Sequence, residues 1–109
     1  MRKTVKAKAF AALLMGSTNV DDYYKMKAEI NYFSNQIMND LSMALYLNSP
    51  EISRERKKEL IKKNYSKELS DLVINFICLL VENDLQTSIC QINSIINNYE
   101  IYEDLYNAC

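Results

Sequence analysis

Leu47–Asn83, LNSPEISRERKKELIKKNYSKELSDLVINFICLLVEN, is the stretch whose reading decides the fold. Asn48-Ser49-Pro50 ends one helix, because proline has no amide donor and pushes the residue before it out of helical backbone. Ser53 stands where an N-cap is needed, ahead of a charged helix that reaches to about Lys63. Only Leu60 and Ile61, with Ile52 and Tyr65 at its ends, can anchor that helix, which places it on the outside of a bundle. Ser70 is the next N-cap, opening a helix from Asp71 to about Asn83 that is apolar almost all the way round. On a helical wheel Val73, Ile74, Ile77, Leu80 and Val81 share one side. Leu72, Phe76 and Leu79 lie opposite, with Asn75 and Glu82 at the edge. Such a helix is either the central post of a bundle or is covered by another molecule, and periodicity alone leaves both open.

Upstream, a first helix is expected from about Lys3 to Met15, with Gly16 as a left-handed stop. Its basic head and short apolar run mimic a signal peptide, but Lys6 and Lys8 interrupt the apolar part and favour the helix. Ala7, Phe10, Ala11 and Leu14 face one way; Val5, Ala9, Ala12 and Leu13 face the other. Asn19 and Asp22 have capping-box-like spacing before a second helix, whose stripe is Tyr23, Met26, Ile30, Phe33 and Ile37. Asp40 can cap a short third helix, Leu41 to Leu47. Beyond Asn83, the recurrence of Ile89, Ile92, Ile95, Ile96, Tyr99 and Tyr102 marks a last helix.

The expected fold is therefore all-α, one compact six-helix bundle over residues 1–109. Composition agrees: one Gly and one Pro are too few for the turns of a sheet protein. At this length only about 60–65 % of the unfolded surface can be buried, so apolar residues are not plentiful. Helices one and five nevertheless both carry a spare apolar face, and side by side those faces would make a groove for an amphipathic helix.

Catalytic chemistry has little to work with. The chain has no histidine, which removes the commonest general base and metal ligand. Cys78, Cys90 and Cys109 have no C-x-x-C spacing, which speaks against zinc and against a disulfide framework and for a reducing compartment. The acids Asp21/Asp22 and Glu100/Glu103/Asp104 lack the Glu-x-x-His partner of di-metal bundles. A single glycine rules out a glycine-rich phosphate loop. No apolar run reaches the roughly 18–20 residues of a membrane span. No enzyme, cofactor, metal or direct membrane insertion is expected. The basic cluster from Arg54 to Lys67 is the one hint of a nucleic-acid-binding module, but Glu55, Glu59 and Glu68 are interspersed in it and a solvated helix face is the better reading.

A family pattern runs through the same stretch. Leu47 and Pro50, then Ile52 and Lys57, then Leu69, Ser70, Asn75, Phe76, Ile77, Leu79, Leu80, Glu82 and Asn83 fall in register with "L-x-x-P", "I-x-x-x-x-K" and "L-S-x-x-x-x-N-F-[LI]-x-[LV]-L-x-E-N". Lys6-Ala7-Lys8-Ala9 falls where that family often has Tyr-Ala-Lys-Ala. The chain thus resembles the N-terminal domain of the delta subunit of F-type ATP synthases, called the oligomycin-sensitivity-conferring protein in mitochondria. The resemblance implies a six-helix bundle that sits on the catalytic head as a non-catalytic stator. It implies that a groove between helices one and five holds the N-terminal helix of an alpha subunit. Carried over by position, Lys6, Ala9, Leu13, Leu72, Asn75, Phe76 and Leu79 line that groove, with Phe76 and Leu79 as apolar anchors and Asn75 at the rim. It also implies a place in a peripheral complex on the cytoplasmic face of a bacterial plasma membrane, or on the matrix side in mitochondria, with peripheral-stalk subunits reached through other chains.

Three departures stand out. Lys6 replaces the family's aromatic, and Asp84-Leu85 occupies its Gly-Arg positions. The chain stops at Cys109, where the family normally adds a smaller C-terminal domain that grips the stalk. A fragment, or a shortened relative joining an F1-like ATPase to another machine such as a motility apparatus, would each fit that stop.

Overall fold

The computed structural model describes residues 3–16 and 20–108. Six α-helices follow one another, and no strand occurs among the described residues: α1 Lys3–Gly16, α2 Val20–Asn39, α3 Leu41–Asn48, α4 Arg54–Tyr65, α5 Asp71–Glu82 and α6 Ile89–Ala108. A 3-10 turn, Gln86–Ser88, leads into α6. The six-helix bundle expected from periodicity is the fold observed. Boundaries differ from expectation by one or two residues, as fraying helix ends do.

Local chemistry sets the breaks. The Asp40 carboxylate accepts the Met43 N–H at 3.1 Å and starts α3. Ser53 Oγ accepts the Arg56 N–H at 3.2 Å and starts α4. Between them Pro50 sits in a turn closed by the Ile52 N–H on the Ser49 carbonyl at 3.3 Å. Gly16 is a correction: no glycine has positive φ, and the helix runs through Gly16 rather than being stopped there by a left-handed residue. The proposed cap at Asn19 lies outside the described residues.

The core is a single cluster fed by every helix. Ala11 and Leu14 enter from α1, Met26, Ile30 and Phe33 from α2, Met43 and Leu47 from α3, and Ile61 and Tyr65 from α4. The side of α5 read as core-facing is buried throughout: Val73, Ile74, Ile77, Leu80 and Val81. Ile89, Ile92 and Ile96 close the cluster from α6, while the side chains of Tyr99 and Tyr102 lie outside the described residues. Phe33 and Tyr65 meet edge-on with ring centroids 5.1 Å apart, tying α2 to α4. Burial pushes the Tyr65 phenol and the Cys78 thiol up in pKa, so Cys78 behaves as a small buried apolar residue.

The outer position of α4 is a second point of difference. Its basic residues were expected to form a solvated face, yet Lys57 is only 4 % exposed and sits with Ile61 and Tyr65 on the inward side. Spacing explains this, since 57, 61 and 65 are successive i, i+4 positions on one stripe.

Candidate protein-binding faces on α1 and α5

Helix α5 is held differently at its two ends. At the N-terminal end Ser70 occupies the cap position but makes no cap hydrogen bond with its side chain. Its hydroxyl donates instead to Glu29 of α2 at 3.0 Å, and its backbone N–H also donates to that carboxylate. In a capping box the acid comes from the helix's own third residue, which here is Val73. Glu29, 8 % exposed, supplies that acid from a neighbouring helix. The carboxylate also places negative charge at the positive end of the α5 dipole.

At the C-terminal end Asp84 takes φ 56°, a left-handed conformation that a glycine would adopt without cost. The Leu85 N–H reaches the Leu80 carbonyl at 2.8 Å and the Asp84 N–H reaches the Val81 carbonyl at 3.1 Å. That pair of bonds is a Schellman motif, with Leu80 and Leu85 both buried beside it. Arg54 donates to Asp84 at 2.6 Å, and Lys58 pairs with Glu82 and with Glu55, the latter at 3.0 Å. These bonds and charges raise the Arg54 and Lys58 pKa values and lower that of Glu82.

Between those ends the outer face of α5 is left open. Leu72 is 37 % and Leu79 39 % exposed, and Asn75 between them is exposed. On α1, Leu13 is 56 % exposed, and Lys6 and Ala9 are exposed as well. Phe76 differs from its outer neighbours, at 5 % exposure. Its ring lies 6.5 Å from that of Phe10, and this contact brings α1 and α5 together. The backbone of α1 packs chiefly on α6 and that of α5 chiefly on α4, so the two rings bridge helices that do not pack closely. Among the described residues no group of three or more His, Cys, Asp or Glu could hold a metal ion.

The positional carry-over did not anticipate Glu29, Lys57 or the left-handed Asp84. Glu29 had a signal available: it lies three residues after Met26 and four before Phe33, on the apolar stripe of α2. A charge at such a position must find a buried partner.

The model of the ATP synthase delta (OSCP) subunit family matches residues 7–108. The chain belongs to that family. The delta (OSCP) match takes in α1 from residue 7 onward and all of α2 to α6. A curated relative named ATP synthase subunit delta, from Leptospira interrogans, is 28% identical over 75 residues. The matched region is 69% of this chain but 39% of that relative, so the chain spans about two fifths of its length. No solved structure matches.

Proposed function

We propose that this delta (OSCP) family member is a non-catalytic stator or connecting subunit of an F-type ATP synthase or F1-like ATPase. In this reading the outer faces of α1 and α5 receive the N-terminal helix of an alpha subunit, and the catalytic head is thereby kept from turning with the rotor. The observation that carries it is the set of exposed leucines, Leu13, Leu72 and Leu79, on two helices linked through Phe10 and Phe76. Large apolar side chains at such exposure suit an incoming amphipathic helix. Phe76 would form the floor of the contact rather than a free anchor, and Lys6 would favour an acidic residue on the visitor. Among the described residues no helix is long and apolar enough to cross a membrane. In this reading peripheral-stalk subunits are reached through other chains.

The basic helix α4 does not favour the nucleic-acid reading. Arg54 and Lys58 are engaged by Asp84, Glu82 and Glu55, and Lys57 is buried, which leaves a divided positive field.

Calorimetric titration with a peptide of the alpha-subunit N-terminal helix tests the proposal. Leu79→Asp should weaken binding by at least about thirtyfold, the effect of losing one hot-spot anchor of ~2 kcal/mol. Leu45→Asp, at a 61 % exposed leucine on α3, should leave affinity unchanged. Equal affinity of the Leu79 variant and the parent chain would remove the α1/α5 site.

A further inference from the structure

A cleft of about 470 Å³ lies at the turn between α3 and α4, away from the open faces of α1 and α5. Pro50 and Ile52 supply its apolar lining, and Ser53 and Arg54 bring the first turn of α4 to it. Its acids are already engaged: Asp84 by Arg54, and Glu55 by Lys58. Lys57 also lines the cleft, and it is the unmatched charge. The residue is 4 % exposed, yet among the described residues its ammonium has neither a hydrogen bond nor an ion pair. Among the described residues the polar side-chain atoms that are both sealed and unpartnered are Gln86 Oε1 and Asn93 Oδ1. The Lys57 ammonium is not among them, so it is not sealed from solvent, and the residue lines the cleft.

A lysine so little exposed overall, with no acid paired to it, offers its charge to an anion that enters the cleft. The first turn of α4 adds to the attraction. Ser53 Oγ takes the Arg56 N–H and the Ser53 carbonyl takes the Lys57 N–H, while the Arg54 and Glu55 amides have no intrahelical acceptor. We infer that this cleft binds a single carboxylate, held by the Lys57 ammonium and the first-turn amides of α4. A carboxylate fits better than a phosphate dianion. There is one unmatched cation, and Asp84 and Glu55 on the same wall would repel a second negative charge. The apolar lining suits the methylene group that carries such a carboxylate. The site uses no residue of the α1 and α5 faces and stands whether or not those faces bind a helix.

Amide-resolved NMR titration of the full chain with sodium acetate, at constant ionic strength against sodium chloride, tests it. Saturable shifts of the Arg54 and Glu55 amides are expected, together with shifts of the Lys57 Cε protons at the same midpoint. Lys57→Met keeps the buried stem and should weaken binding about tenfold or more, as loss of a charge-assisted hydrogen bond does. Lys57→Arg should retain it. Shifts that never saturate, that chloride reproduces, or that leave the Lys57 Cε protons unmoved would overturn the site, and the last readout needs no variant. A blocked glutamate tripeptide binding more tightly than acetate would identify the ligand as a partner's acidic side chain. Acetate binding as tightly would identify a free small carboxylate. Phosphate binding more tightly than either would overturn the assignment to a carboxylate.

Discussion

The two ends of α5 solve one problem, unpaired backbone groups at a helix terminus, with opposite materials. The N-terminal end uses a buried carboxylate from another helix, Glu29, on the N–H and hydroxyl of Ser70. The C-terminal end closes on its own backbone through a Schellman motif and adds ion pairs in which Arg54, Asp84 and Glu82 are 44–61 % exposed. Burial, more than the number of bonds, sets their weight. A charge-assisted bond shielded from water resists both screening and replacement by solvent, whereas an exposed pair exchanges readily with it. The first end locks α5 to α2, and the second only finishes a helix.

Glu29→Ala should therefore have the largest effect. It strips the acceptor from a part-buried N–H and hydroxyl and leaves a void between α2 and α5, costing about 2–4 kcal/mol in chemical denaturation. Glu29→Gln sharpens the point. It keeps one acceptor for the Ser70 N–H but gives up the charge at the helix dipole, so roughly 1 kcal/mol is expected. Equal losses for both variants would show that the charge matters and the shape does not. A loss under about 0.5 kcal/mol for Glu29→Ala would place this end on the same footing as the other, and the comparison would fail.

At the opposite end a change should stabilise. A non-glycine residue in left-handed backbone costs about 1 kcal/mol, somewhat less for Asp than for most. Asp84→Gly removes that strain and gives up an exposed ion pair with Arg54 worth a few tenths. A net gain of about 0.5 kcal/mol is expected, measured as a rise in the denaturation midpoint. A clear loss would mean that the Arg54–Asp84 pair outweighs the backbone, and that exposure is a poor guide at this terminus.

The fold was legible because the apolar stripes repeat at helical spacing and the breaks carry their own chemistry. Asp40 and Ser53 cap where their side chains can reach the third amide beyond, a relation written entirely in local sequence. Ser70 looks the same in sequence, but its hydroxyl is taken by Glu29, 41 positions earlier, and no local rule can see that. Gly16 fits a left-handed stop by composition, yet the left-handed residue is Asp84, where the Schellman geometry imposes the conformation. For the open faces, the wheel correctly set Leu72 and Leu79 outside and Ile77 and Leu80 inside. It could not place Phe76, which lies on the outer side of the wheel and is buried because Phe10 of α1 reaches it. Lys57 was misjudged in the same way, since composition called the helix solvated while its position, four before Ile61, turned it inward.

The smallest effect belongs to Lys58, and its pH dependence carries the sign of the exposed end. The hydrogen bond and charge from Lys58 hold the Glu82 pKa below its ordinary value of 4.5. A folded-state pKa below the unfolded one means the pairing stabilises above the unfolded value and is lost as pH falls through the folded one. Lys58 remains protonated throughout, because its own pKa is raised. Lys58→Met should therefore melt slightly lower than the parent chain at neutral pH, and the two melting curves should converge once the carboxylates are protonated. The Lys58 side chain is only 18 % exposed, however, so its methylene stem also covers apolar surface, a contribution that methionine largely preserves. A difference that persists in acid would assign the effect to that stem. The C-terminal end of α5 would then rest on packing, as the N-terminal end rests on a buried charge.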